Sequence, residues 1–200
     1  MAQVKLKGNP VKTSGELPAL GSEAPDFTLT GTDLVDVSLT HFRGKRVVLN
    51  MFMSVDTGPC AASVRRFNEE LAGRKNTVVL CISRDLPFAH ARFCEAEGID
   101  GVIPLSEMRG RSFGKEYGNE LENGPLAGLL ARSVVILDEE GNVAYTQQVE
   151  EISEEPDYEK ALAVLSAADG EPLPVCTASF SAEDSRVDGS DEPCDDGRAG

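Results

Sequence analysis

Cys60 is the residue of this sequence whose type and position are best suited to chemistry. It follows an apolar run, residues 47–53, and a short turn that ends in Pro59. Proline is tolerated in the first turn of a helix, so the pattern predicts a helix that starts at Pro59. Its inward face is predicted from residues spaced four, three and four apart: Cys60, Val64, Phe67 and Leu71. The free N–H groups and the positive end of a helix dipole stabilise a thiolate relative to a thiol. The position therefore predicts either a nucleophilic cysteine or a buried, inert one.

The residues around Cys60 resemble a known signature. Thr57-Gly58-Pro59-Cys60 is similar to the Cys-Gly-Pro-Cys tetrad of thioredoxin, with threonine in place of the first cysteine. A threonine three residues before a cysteine, after an apolar strand, is also the core of the peroxiredoxin signature. Across residues 2–168, six segments resemble the bacterial thiol peroxidase subfamily of the peroxiredoxins in the same order: SVDTGPCAASVR, LCIS, DLPFA, RFC, GPL and EPDY.

This resemblance implies a thiol-specific peroxidase without a cofactor. Cys60 would be the peroxidatic cysteine, whose thiolate attacks hydrogen peroxide or an organic hydroperoxide and becomes a sulfenic acid. Arg132 follows a glycine-rich loop at the start of a predicted strand, where a parallel sheet commonly places site residues, and it matches the family's site arginine. It would stabilise the anion and polarise the O–O bond. Without the resemblance, Arg132 is equally interpreted as one half of a surface ion pair.

The resemblance also implies roles for Thr57 and Cys94. The Thr57 hydroxyl either donates to the thiolate, accepts from the peroxide or simply caps the helix. Cys94 matches the resolving cysteine, which would form an intramolecular disulfide with Cys60 that thioredoxin reduces. Because a disulfide needs Cα atoms within about 7 Å, we expect the first turn of the Cys60 helix to unwind first. Cys94 lies beside the predicted core stripe of its own helix: Leu86, Ala89, Phe93 and Ala96.

The other cysteines carry no predicted catalytic role. Cys81 lies within a predicted strand and is expected to be buried, whereas Cys176 and Cys194 stand in an acidic tail. No Cys-x-x-Cys pair and no histidine spacing indicate a metal site. Two alternative functions stay open: a thiol–disulfide oxidoreductase, although Thr57 replaces its exposed nucleophile, and a non-enzymatic redox sensor or relay.

Two residues depart from the family pattern. Met53 stands where the family has a proline that shields the active cysteine, and Pro59 stands where it has a small aliphatic residue. Methionine can fill the space, but it is flexible and itself oxidisable. Pro59 removes one N–H near the site and stiffens the turn that has to unwind. Both changes bear on the rate of the reaction more than on the fold.

The order of the predicted elements matches a thioredoxin-like α/β fold, in which helices flank a mixed central sheet. The strand at 47–53 is apolar nearly throughout, as expected where both faces of a sheet are covered. An N-terminal hairpin at 4–13 extends the fold. Besides the Cys60 helix, the chain carries predicted strands at 77–83, 102–105, 133–138 and 143–149, and helices at 87–97 and 156–166.

Length and charge supply the remaining expectations. The 200 residues predict one domain, 1–168, and a disordered acidic tail, 169–200. The net charge is −15, seven units of which lie in the tail, and this argues against nucleic acid and anionic membranes as partners. No membrane span or signal peptide is visible, and the odd cysteine count favours a reducing compartment. We therefore expect a cytoplasmic protein, and the resemblance implies a homodimer.

Overall fold

The computed structural model describes residues 2–169, so the predicted tail lies, apart from Asp169, outside the described residues. Within this part of the chain the helices are α1 (Gly58–Leu71), α2 (Pro87–Glu97), α3 (Ser112–Glu116) and α4 (Tyr158–Asp169). The strands are β1 (Gln3–Leu6), β2 (Asn9–Lys12), β3 (Thr28–Gly31), β4 (Asp36–Ser38), β5 (Arg46–Met51), β6 (Thr77–Ser83), β7 (Ile103–Ser106), β8 (Ser133–Leu137) and β9 (Val143–Gln148). The predicted elements are all present, with bounds that differ by a few residues.

The central strand β5 organises a seven-stranded sheet in the order β4-β3-β7-β6-β5-β8-β9. It pairs in parallel with β6 and antiparallel with β8, which confirms the predicted mixed sheet. Every residue of β5 is buried, because its alternate side chains enter two different cores. Val47, Leu49 and Met51 enter one core, and Val48 enters the other, which also contains Cys60.

Helix α1 forms as its sequence predicts. Its four predicted inward residues are all buried: Cys60, Val64, Phe67 and Leu71. The helix begins one residue earlier than expected, so Pro59 is its second residue, where a missing N–H is still tolerated. This arrangement places Cys60 in the first turn, just beyond the carboxyl end of β5.

Helix α2 has the predicted bounds, but the prediction of its core stripe was wrong at Leu86 and Ala96, whereas Phe93 is buried as predicted. Its buried side chains are Pro87, His90 and Phe93, whereas Leu86 is 55% exposed and Ala96 is exposed. The helix turns His90 inward because Ser83 gives the imidazole Nε2 a hydrogen-bond partner at 3.0 Å. Burial also lowers the pKa of His90, so the ring is neutral at pH 7. Hydrophobic spacing gives no signal for such a residue.

The N-terminal hairpin of β1 and β2 forms its own small sheet, as predicted, and is tied to residues 150–152. The backbone of Lys5 donates to the Glu150 carbonyl and accepts from Ile152 N–H, at 2.6 and 2.8 Å. The Glu151 carboxylate accepts from the backbone N–H groups of Lys7 and Gly8, each at 2.9 Å. These contacts lock the hairpin turn against the segment that follows β9.

The Glu151 contact makes a prediction about stability and pH. Its hydrogen bonds to backbone N–H groups lower the pKa of this carboxyl from 4.5 to about 2. A depressed carboxyl pKa contributes stability above the unfolded pKa, and this contribution is lost as the pH falls through the folded pKa. We expect Glu151→Gln to lower the melting temperature at pH 7, by a difference that shrinks as the pH falls from about 4.5 to about 2.

Thermal unfolding followed by circular dichroism at several pH values measures this difference. Glu154→Gln is the matched control, because it removes the same charge from a nearby exposed position without removing these hydrogen bonds. A difference between wild type and Glu151→Gln that stays constant over the whole pH range would contradict the prediction.

Candidate active site

Cys60 lies at the centre of a buried site at the carboxyl end of β5. It is the third residue of α1, and its side chain is fully buried in the core that also contains Phe52, Met53 and Val55. Its sulfur accepts a hydrogen bond from Arg132 Nη2 at 3.3 Å. The structure therefore brings together two of the four predicted site residues in direct contact.

Arg132 reaches this place because of the direction of β8. It directly precedes β8, which runs antiparallel to β5 with Ser133 opposite Met51. We expected Arg132 at the site because a parallel sheet commonly places site residues there. The residue does lie beside Cys60, but the strand that it precedes is antiparallel to β5. An antiparallel strand starts at the edge where its neighbour ends, so Arg132 lies at the carboxyl end of β5.

The guanidinium of Arg132 is fully buried and only partly paired. Its Nε donates to the Ile152 carbonyl at 3.1 Å, and its Nη2 donates to Cys60. Its Nη1 has no hydrogen-bond partner among the described residues. A buried guanidinium always carries its charge, so an unpaired donor beside a sulfur is a group able to bind an incoming oxygen.

The N-terminal hairpin supports Arg132 through Ile152. The carbonyl of Ile152 accepts from Arg132, and its N–H donates to the Lys5 carbonyl. Sequence reasoning missed this support, because nothing in the local pattern connects β1 with a residue that lies 147 positions after Lys5. The hairpin is thus part of the framework of the site.

Thr57 lies at the N-cap of α1, but its side chain caps nothing. Its Oγ1 donates to the Ser54 carbonyl at 3.1 Å, and the side chain is exposed. The predicted side-chain cap is therefore not formed, and the Thr57 carbonyl accepts only the first backbone hydrogen bond of the helix, from Ala61 N–H at 3.0 Å. Since the hydroxyl proton is engaged, the free lone pairs of Oγ1 can only accept.

Met53 is buried in the core that contains Cys60. Its side chain is 6% exposed. A flexible thioether thus lies in this core at the position where the family pattern has a proline.

The other two described cysteines lie on other elements around the same core: Cys81 is part of it, and Cys94 packs against it. Cys94 is half-buried on α2, and burial raises the pKa of its thiol. Cys81 is fully buried on β6, and burial raises the pKa of its thiol to about 12, which makes it a poor nucleophile. Cys176 and Cys194 lie outside the described residues.

Residues 2–169 contain neither a candidate metal site nor a candidate membrane span. No group of three or more histidine, cysteine or acidic side chains in this range is arranged to hold a metal ion. In the same range, none of the helices has the length and apolar character needed to cross a membrane.

Comparison with known proteins decides the family. The profile of the Redoxin family matches residues 19–162. A thiol peroxidase of Corynebacterium glutamicum is 57% identical over 166 residues, which cover 83% of this chain and the whole of that protein. A thiol peroxidase of Mycobacterium tuberculosis is 58% identical over 167 residues, which cover 84% of this chain and the whole of that protein. This chain belongs to the thiol peroxidases of the peroxiredoxin family.

The fold and the activity of this thiol peroxidase follow from the same comparison. A peroxiredoxin-like protein of Aquifex aeolicus matches the structure with a TM-score of 0.78 and 38% identity, over 84% of this chain and 97% of that one. The predicted thioredoxin-like fold is thus confirmed. The enzyme reduces peroxides with a thiol. The family favours this activity over the thiol–disulfide oxidoreductase and the redox sensor that the Thr57–Cys60 tetrad left open.

The buried contact of Arg132 predicts a large loss of peroxidase rate when it is removed. We expect Arg132→Met, which keeps most of the volume, to lower the second-order rate constant for hydrogen peroxide by about 100-fold or more. The reduced protein is mixed with peroxide in a competition assay to measure this constant.

Arg46→Met is the matched control for this variant. Arg46 is a second buried arginine, 5% exposed, at the opposite end of β5 from Cys60. Its replacement is expected to lower the melting temperature and leave the rate constant unchanged. A folded Arg132→Met enzyme whose rate constant stays within about threefold of wild type would contradict the prediction.

Restoring the family residue at Met53 tests whether the methionine limits the enzyme. We expect Met53→Pro to leave peroxidase activity unchanged or to raise it, because proline is a more rigid shield that peroxide does not oxidise. Steady-state peroxide consumption measures the activity, and a thermal melt checks the fold. A loss of about tenfold or more in a folded variant would instead show that methionine is an adaptation of this chain.

Proposed function

We propose that Cys60 is the peroxidatic cysteine of this enzyme and that Arg132 holds the peroxide against it. The main support is the 3.3 Å contact between Arg132 Nη2 and Cys60 Sγ inside a fully buried site. The thiolate attacks the terminal oxygen of the peroxide and the O–O bond breaks. A sulfenic acid forms, and water or an alcohol leaves with the second oxygen. The proposed substrates are hydrogen peroxide and organic hydroperoxides.

Two polar groups in this region are available for the oxygens of the peroxide. Arg132 Nη1 is a buried donor without a partner among the described residues. Thr57 Oγ1 gives its own proton to Ser54 and keeps its lone pairs as acceptors. A hydroperoxide has both a proton to donate and oxygens that accept, so it complements this pair. A fixed hydrogen-bond donor in a buried site also stabilises the charge that develops in a transition state more strongly than the same donor in water.

Cys94 is the proposed resolving cysteine. Its thiol is free and half-buried on α2, and its raised pKa keeps it protonated at neutral pH while it stays in the folded helix. In the proposed step, the Cys94 sulfur attacks the sulfur of the Cys60 sulfenic acid. The hydroxyl group leaves as water, with the proton from the Cys94 thiol, and a disulfide forms.

The first turn of α1 has features that support its unwinding before this step. The side chain of Thr57 makes no cap, and Gly58 is the residue type with the greatest backbone freedom. Pro59 stiffens the turn locally, but it has no N–H with which to hold it. Cys60 could thus leave its buried position and approach Cys94 without the loss of a side-chain cap.

Thioredoxin is the proposed reductant, which would open the disulfide by thiol exchange. The free thiols of Cys60, Cys81 and Cys94 support the cytoplasm as the proposed location.

We also propose a homodimer, supported by Leu86 and Phe88, which are 55% and 64% exposed and which a second copy would cover. Peroxide turnover with thioredoxin and its reductase tests the reductant, and light scattering that gives the mass of one chain would contradict the dimer.

Peptide mass spectrometry after one equivalent of peroxide tests the cysteine assignments. We expect a Cys60–Cys94 link to dominate, because the sulfenic acid forms on Cys60 and the resolving thiol is on Cys94. The link should disappear in Cys60→Ser and in Cys94→Ser. It should persist in the matched control Cys81→Ser, because Cys81 is fully buried on another element. A dominant link between Cys176 and Cys194 would contradict the proposal.

A further inference from the structure

One carboxylate outside the site described above holds the loop that joins β5 to α1. Asp85 Oδ1 accepts a hydrogen bond from Ser54 Oγ at 2.8 Å, and Asp85 Oδ2 accepts one from Val55 N–H, also at 2.8 Å. Hydrogen bonds to an ionised acceptor are stronger than those between neutral groups. Val55 lies only five residues before Cys60, so a movement of the first turn of α1 is transmitted directly to this loop.

Asp85 is itself fixed to the sheet and to α2. Ser83, the last residue of β6, donates from Oγ to Asp85 Oδ2 at 2.7 Å and accepts from Asp85 N–H at 3.0 Å. Ser106, the last residue of β7, donates to the Asp85 carbonyl. Because the one proton of the Ser83 hydroxyl goes to the carboxylate, His90 Nε2 donates to Ser83 Oγ. Hydrogen bonds to β6 and β7, and through Ser83 to α2, therefore fix the position of Asp85.

This network connects the two halves of the proposed disulfide. On one side it holds Ser54 and Val55, which precede the helix of Cys60. On the other side it reaches His90, which lies one helical turn before Cys94 on α2. The proposed peroxidatic loop and the proposed resolving helix are thus joined through the side chains of Asp85, Ser83 and His90.

Two ion pairs of the described residues join the same parts of the chain, and both are on the surface. Asp56 pairs with Arg92 at 3.0 Å, and their side chains are 64% and 70% exposed. Arg65 and Glu97 form a two-pronged pair at 2.7 and 2.9 Å, and it is also solvent-exposed. Water and salt screen such pairs, so they hold the loop less firmly than the Asp85 carboxylate does.

We propose that Asp85 is a positioning residue that sets the balance between peroxide attack and disulfide formation. With its hydrogen bonds to Ser54 and Val55 in place, the first turn of α1 stays folded and Cys60 remains beside Arg132. When these bonds are broken, the loop is released and Cys60 can reach Cys94. This inference rests on the proposed Cys60–Cys94 disulfide.

The balance has a measurable chemical consequence. The Cys60 sulfenic acid has two fates, since it condenses with the Cys94 thiol and releases water, or it is oxidised to sulfinic acid by a second peroxide molecule. The second peroxide transfers one oxygen to the sulfur and leaves as water. A looser loop favours the disulfide, and a firmer loop favours the sulfinic acid.

Asp85→Asn tests the proposal in the full chain. The amide keeps the shape of the side chain but has only one acceptor oxygen, so the three hydrogen bonds from Ser54, Val55 and Ser83 cannot all form. We expect disulfide formation to become about tenfold faster, and the sulfinic acid formed at a fixed peroxide excess to fall by a similar factor. Rapid quenching with a thiol-alkylating agent and mass spectrometry measure both, since the chain has no tryptophan to report by fluorescence.

Two further variants make the test specific. Asp56→Asn is the matched control, because it makes the same chemical change in the same loop at an exposed ion pair, and both readouts should stay within about twofold of wild type. Ser54→Ala leaves the carboxylate but removes its hydrogen bond from Ser54 Oγ, together with the longer one that Ser54 Oγ accepts from Asp56 N–H at 3.2 Å. It should therefore shift both readouts in the same direction by about threefold. It provides the test if Asp85→Asn does not fold.

The outcomes separate this inference from the proposed function. If the wild-type chain forms no Cys60–Cys94 link, both are overturned. If the link forms but Asp85→Asn and Ser54→Ala leave the ratio of disulfide to sulfinic acid within about twofold of wild type, only the role of Asp85 is overturned. A role in stability alone would lower the melting temperature without changing this ratio.

Discussion

A positive charge buried against a sulfur is the interaction on which the rest of this structure depends. The guanidinium of Arg132 is a charged group that is fully buried, so acceptors within the protein must compensate its lost hydration. The Ile152 carbonyl and the Cys60 sulfur are those acceptors. In the proposed reaction the Cys60 sulfur is a thiolate, whose negative charge would lower the cost of burying the guanidinium, and the guanidinium would in turn stabilise that anion. The buried arrangement of the site and its proposed reactivity thus depend on one contact.

The topology of the sheet makes this contact possible. Because β8 runs antiparallel to β5, the residue before β8 lies beside the carboxyl end of β5, where α1 begins. A parallel neighbour would have placed Arg132 at the opposite edge of the sheet, a full strand length away. The N-terminal hairpin completes the arrangement, since Lys5 holds the N–H of the same residue whose carbonyl orients Arg132.

In the proposed cycle, this region has to be rigid in one step and open in the next. Peroxide attack needs Cys60 beside Arg132, whereas the disulfide needs Cys60 to leave that position. The helix start is built weakly, because Thr57 supplies no side-chain cap and Gly58 favours no particular backbone conformation. The loop before it is held by charge-assisted hydrogen bonds to Asp85. In this proposal the loop is therefore held by the side chain of Asp85, which lies between β6 and α2, and not by α1 itself.

Local residue patterns were enough to predict most elements of this protein and the position of its cysteine. The apolar strand, Pro59 and the four-three-four spacing of α1 are signals carried by neighbouring residues, so the sequence contains them directly. The motif resemblance added Arg132, which no spacing in the chain connects with Cys60. Packing alone revealed that α2 buries His90, that β8 runs antiparallel, and that Asp85 holds the loop at Ser54. These contacts join residues that are polar or distant in the chain. The spacing of apolar residues predicts helices and strands, but it does not predict which strands pair or which buried polar groups hydrogen-bond to each other.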